Sequence, residues 1–192
     1  AIEFRSGETG LHVQNIHDLT KILLRRLREK KFPDCNFSDE QIELIATASM
    51  LHDVGKIAVP DNILNKPGKL TKDEFQIMKQ HSLTGAEMLE KMTDIQANPV
   101  FSYAYDICRH HHERWDGTGY PDGLKGNENS ICAQVVALAD VYDALTHKRC
   151  YKPAIEKAKA AEMIVNGECG VFNPLLIEAF LDIREQIIME VE

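Results

Sequence analysis

HHHERWDGTGYP, running from His110 to Pro121, is the stretch on which the reading of this chain turns, together with HDVGK at His52–Lys56 upstream. Adjacent histidines, a carboxylate and a glycine-rich turn make a poor hydrophobic core. Buried imidazoles need partners, and glycine gives up packing area and backbone entropy. The same residues suit a polynuclear metal site beside an anion-binding loop, since imidazole and carboxylate together hold divalent iron, manganese or zinc.

Working outward, helical periodicity dominates, and no alternating strand pattern stands out. Apolar residues recur at helical spacing from Leu11 to about Arg28. Ser38 with Gln41, and Thr71 with Glu74, are capping boxes that open two further helices. Asn98-Pro99 opens one running to about Glu113, and Asn173-Pro174 opens the last. Helices are also expected over about Ile131–Leu145 and Pro153–Ile164. The segments Ile57–Leu70 and Asp116–Asn129 are too polar and broken for helices, and they read as functional loops. The predicted fold is an all-α bundle with a metal cluster between helices and two loops over it.

A length of 192 residues supports one domain, taken as 8–192 after a linker or cloning remnant at 1–7. Hydrophobic content of 44% with 27% charge is ordinary globular composition, without an apolar run of membrane-spanning length or a secretory leader. Five cysteines without a CxxC spacing read as reduced thiols in a cytoplasmic setting. The net charge of −8 opposes binding of polymeric nucleic acid. It does not oppose a phosphodiester substrate, because bound dications would reverse the local field.

Within this frame Glu8 and His12 share a helix face, and His52-Asp53 sits at a helix end before Gly55 and Lys56. Gly85 follows His81 by one turn, where a close backbone approach would explain a helix glycine. His111 and His112 lead Glu113, which either ligates or orients an imidazole. Asp140 and Asp143, three apart on an apolar helix, need a counter-charge that a metal would supply. His17, His110 and His147 read as solvated or hydrogen-bonded side chains.

The pattern resembles the HD-GYP family, the cyclic di-GMP-degrading subclass of the HD metal phosphohydrolases. The likeness runs from Glu8 to about Phe180 through ETGLH, HDVGK, PDNIL, KPGKLT, HSLTG, the HHE…GYP run, DVYDALT, and then Arg149 and Tyr151-Lys152. It implies metal ligands at Glu8, His12, His52, Asp53, His81, His111, His112 and Asp140, with Asp53 as the bridging carboxylate. Glu8 implies room for a third ion, so the expected cofactor is two or three divalent metals, iron first and manganese second. Tyr120, Arg149 and Lys152 are implied contacts to phosphate and guanine. Asn15 stands where many members have arginine, and Asn173 where Phe-Asp-Pro is usual.

The implied reaction is hydrolysis of cyclic di-GMP to pGpG or GMP by a hydroxide bridging two metals. Lys56 would neutralise developing charge, and Asp143 would orient Lys56 or the nucleophile. A diguanylate cyclase (GGDEF) partner would dock on the Gly117–Gly123 loop, and a homodimer is compatible with the chain. Two alternatives are a nucleotide phosphohydrolase of the wider HD superfamily and a non-catalytic docking module. The GYP block argues against the first, and the full ligand set argues against the second.

Overall fold

The computed structural model describes residues 10–92, 98–147 and 154–191. They form α1 (Gly10–Glu29), α2 (Asp39–Ser49), α3 (Asp61–Leu64), α4 (Lys72–Glu90), α5 (Pro99–His110), α6 (Ile131–Thr146), α7 (Lys157–Val165), α8 (Pro174–Asp182) and α9 (Arg184–Glu190). Short 3-10 turns cover Val54–Ala58 and Gly126–Glu128. Among the described residues there is no strand, only one isolated bridge between Asp116 and Lys125. None of the described helices is long and apolar enough to cross a membrane.

The helix starts follow local chemistry. Ser38 and Thr71 each accept the backbone N–H three residues on, while Gln41 and Glu74 reach back to the cap. Asn98 and Asn173 cap α5 and α8 ahead of a first-turn proline. Asn173 also donates to Gln134 Oε1 at 2.9 Å, tying α8 to α6.

Four boundaries depart from expectation, one being α7, which starts at Lys157 rather than near Pro153. Asp61–Leu64 is a short helix inside the segment read as loop. Helix α5 ends at His110 rather than near Glu113. Ile183 splits the final helix into α8 and α9.

At the centre lies α6, buried on nearly every side from Cys132 to Leu145, as expected of a helix apolar all round. Helices α1, α5 and α7 pack on it, α2 bridges α1 and α5, and α4 lies along α5. Fully buried Leu19, Leu23, Ile42, Ile45, Ile107 and Leu138 fill the centre. At about 1.5–3 kcal/mol each, such side chains supply most of the drive to fold.

One contact positions the site more than any other. The Val54–Ala58 turn crosses α4 so closely that a Cβ on Gly55 would lie 1.9 Å from His81 O and 2.6 Å from Gly85 N. Two glycines therefore face each other at the crossing, which accounts for the helix glycine at 85.

Candidate metal centre

The bundle brings six of the anticipated ligands together. His12 comes from α1, and His52 and Asp53 from the turn after α2. His81 comes from α4, and His111 and His112 from the end of α5. They fall into two groups that share Asp53: His12, His52 and Asp53 in one, and Asp53, His81, His111 and His112 in the other. Within each group the ligand atoms lie within 4.8 Å of one another.

The rings are aimed by their own helices. His52 Nδ1 donates to Ser49 O at 2.8 Å, His81 Nδ1 to Met78 O at 2.7 Å, and His111 Nδ1 to Ile107 O and Cys108 O at 3.0 Å. A carbonyl only accepts, so each Nδ1 carries the hydrogen and the Nε2 lone pair faces inward. His12 is held differently, with Nδ1 2.6 Å from Asp143 Oδ2.

Asp53 sits between the groups. Its Oδ2 is 3.2 Å from His52 Nε2 and 2.6 Å from Lys56 Nζ, and its Oδ1 is 3.2 Å from His81 Nε2 and 3.8 Å from His111 Nε2. Despite these approaches, His52 Nε2, His111 Nε2 and Asp53 Oδ1 are buried without a directed hydrogen bond. Buried donors and acceptors left this way are costly unless something else satisfies them. Converging lone pairs around a carboxylate fit divalent cations, so the residues present suit the implied metals.

The electrostatics treat the rings differently. Burial opposes charge on Asp53, but Lys56 and His52 outweigh it and hold the carboxyl well below the usual range. Burial also opposes charge on His52, yet Asp53 raises that ring to about 9, so a cation binding there would displace a proton from Nε2. Burial and the neighbouring His52 lower His111 to about 3, keeping it neutral as a ligand must be. Asp140 faces the same cluster, its charge acting on His52, Asp53, His12 and His111. Nearby Cys108 is no thiolate, since burial and then Asp53 push it up to about 12.

Two assignments change. Asp143 is engaged by His12, by Asn15 Nδ2 at 2.8 Å and by His147 Nδ1 at 2.9 Å, so it braces the ring of His12, an anticipated ligand, from α1. His147, read as solvated or hydrogen-bonded, is hydrogen-bonded within that brace. Glu113 orients no imidazole: its carboxylate accepts the backbone N–H groups of Asp122, Gly123 and Leu124 at 2.7, 3.1 and 3.1 Å. It thereby folds the glycine-rich loop back on the end of α5, with Gly119 so close that a Cβ would meet Glu113 Cα at 2.4 Å. Long-range pairings of this kind leave no trace in spacing. His110 pairs with Asp106 and Asp122, and His17 with Asp18 and Glu43, outside the cluster. Glu8, Arg149 and Lys152 lie outside the described residues.

Glu113→Gln keeps the size but turns one accepting oxygen into a donor facing backbone N–H. The expected loss is about 1–3 kcal/mol of stability, read in a denaturant melt, with metal content retained. An unchanged melt would mean the loop does not depend on this carboxylate.

A family model described as an HD domain matches residues 13–170. The chain belongs to the HD domain family. It carries the HD-GYP signature His111–Pro121 read above. It is similar to a Vibrio cholerae protein named a probable cyclic di-GMP phosphodiesterase, with 42% identity over 98% of this chain and 43% of the relative. A Thermotoga maritima cyclic di-GMP phosphodiesterase is 37% identical over 96% of this chain and 47% of its own length. A Vibrio cholerae 3′3′-cGAMP-specific phosphodiesterase is 37% identical over 98% and 34%. The chain spans less than half the length of each of these relatives. Among solved structures, Bd1817, an HDG"Y"P protein from Bdellovibrio bacteriovorus, shares the fold with a TM-score of 0.61. It is 24% identical, over 88% of this chain and 51% of that one.

Proposed function

We propose that this domain is a metal-dependent phosphodiesterase that hydrolyses cyclic di-GMP to pGpG, GMP or both, in the cytoplasm. The observation that carries the reading is Asp53, shared by two groups of imidazoles, all buried but the half-buried His112, whose inward nitrogens include atoms without hydrogen bonds. The names of the relatives supply the substrate. Ligands at His12, His52, Asp53, His81, His111, His112 and Asp140 would hold two ions, with Glu8 completing a third; iron is preferred and manganese second. Ions held there would polarise the phosphoryl group and bring the pKa of a bound water towards 7.

The chain's own groups do the rest. Lys56, 2.6 Å from Asp53 Oδ2, sets a positive charge beside the carboxylate where phosphoryl charge develops. Asp143 keeps His12 turned inward. Tyr120 stacks on His112 with centroids 4.7 Å apart, which excludes water from one side of the cluster. The loop from Gly117 to Gly123 is the edge on which a diguanylate cyclase (GGDEF) would dock.

The deciding experiment is elemental analysis of anaerobically purified protein, paired with chromatography of cyclic di-GMP reaction products. At least two metals per chain with metal-dependent turnover is the expected result. Metal-loaded protein that leaves cyclic di-GMP intact but hydrolyses mononucleotides would replace this reading with that of a nucleotide phosphohydrolase.

Arg149 and Lys152 are assigned to a second phosphate or a guanine edge, because arginine's planar fork pairs bidentately with either. Arg149→Ala is expected to weaken cyclic di-GMP binding roughly tenfold or more at normal metal content. Unchanged affinity would remove Arg149 from the binding site.

A further inference from the structure

Outside the metal ligands, α4 presents an aromatic and a cation that neither the core nor the cluster uses. Phe75 is 46% exposed although it lies beside a buried site. Its ring meets Tyr120 edge-on, with centroids 6.4 Å apart and planes at 83°. Tyr120 is in turn the ring stacked on His112. Lys79, one turn along the same face as Phe75, places Nζ 5.4 Å from the Phe75 centroid and 5.3 Å from that of Tyr120. Among the described residues Lys79 forms no ion pair with a carboxylate. The result is an edge-to-face pair of rings leading away from His112, with the partly exposed Phe75 outermost and a donor-only cation lying over both rings.

We propose that Phe75, Tyr120 and Lys79 form a purine subsite selective for guanine, which receives one base of the cyclic dinucleotide. The proposal rests on the phosphodiesterase reading of the metal cluster and adds which base is read, and by what. An open ring face accepts any base by stacking. Lysine has three donors and no acceptor. Guanine offers two acceptors, O6 and N7, on its outer edge, whereas adenine offers N7 beside an amino donor. An ammonium beside the outer edge of a base stacked on Phe75 can therefore donate to both of guanine's outer acceptors, whereas adenine's amino group would face a like donor. The relatives' names divide between cyclic di-GMP and 3′3′-cGAMP, dinucleotides that share one guanine and differ in the other base.

The test uses the metal-loaded protein and slowly hydrolysed phosphorothioate analogues of cyclic di-GMP and cyclic di-AMP, with metal content measured on every sample. Phe75→Ala should raise Kd for both analogues roughly tenfold, because stacking is indifferent to the base, and Phe75→Trp should restore binding. Lys79→Ala should raise Kd roughly tenfold for the guanine analogue and less than about twofold for the adenine one, with Lys79→Arg keeping the guanine preference. If Phe75→Ala loses metal, the ring is a fold element, and the Lys79 variants alone decide the matter. Wild-type affinity in both alanine variants would overturn the subsite and leave the ring pair as a surface for a protein partner. A wild-type protein that carries metal but binds neither analogue would instead sink the phosphodiesterase reading, and the subsite with it.

Discussion

Replacing Asp53 with alanine is expected to empty both halves of the cluster at once and to lower turnover at least about a thousandfold. That magnitude is the several kcal/mol that metal ions contribute, at about 1.4 kcal/mol per decade of rate. The loss is shared because each carboxylate oxygen faces a different set of rings: Oδ2 is turned to His52, and Oδ1 to His81 and His111. No other described carboxylate belongs to both groups. Alanine also leaves Lys56 without the acceptor 2.6 Å away, which adds positive charge where dications must bind. Elemental analysis beside cyclic di-GMP turnover reads the outcome. Two retained metals with near-normal turnover would show that the groups are independent and that Asp53 does not bridge them.

The second large effect is expected from a residue that touches no ligand atom. Gly55→Ala would put a methyl group 1.9 Å from His81 O and 2.6 Å from Gly85 N, both backbone atoms that no rotamer change can move. The turn and α4 must separate, and overpacking of this severity costs about 3 kcal/mol or more. For a chain of this size that is a fall in Tm of roughly 6–12 °C. Separation also carries Asp53 away from His81, so metal content should fall with stability. A thermal melt and elemental analysis on the same sample check both, and an unaltered melt would mean the crossing is looser than described here.

Much of the architecture was legible before the structure, wherever the signal was local. The capping boxes at Ser38–Gln41 and Thr71–Glu74, and the Asn-Pro starts at Asn98 and Asn173, each depend on atoms a few residues apart. The close approach anticipated at Gly85 is there, although its partner Gly55 could not be named from spacing. What escaped depended on chain segments far apart in sequence. Glu113 was weighed as a partner for imidazole because it adjoins two of them, yet its side chain turns to amides nine to eleven residues on. Asp143 was expected to orient Lys56 or the nucleophile, and its carboxylate meets α1 through His12 and Asn15. Asn15, a departure from the family pattern, is short enough to join that brace as a neutral donor. Helix ends were least legible: α5 stops at His110, where the chain turns to deliver the histidine pair.

The three rings tethered through Nδ1 have a consequence for how such a domain can change over time. His52, His81 and His111 each grip a carbonyl three or four residues earlier in their own segment. Their aim is thus inherited from backbone that any helical sequence reproduces, not from the side chains packed around them. Substitutions among the leucines and isoleucines of the bundle then alter how firmly the helices are held without rotating a donor atom. Evolution can rewrite the filling of such a domain while its chemistry stays put, because the instructions for pointing the ligands are written in the main chain.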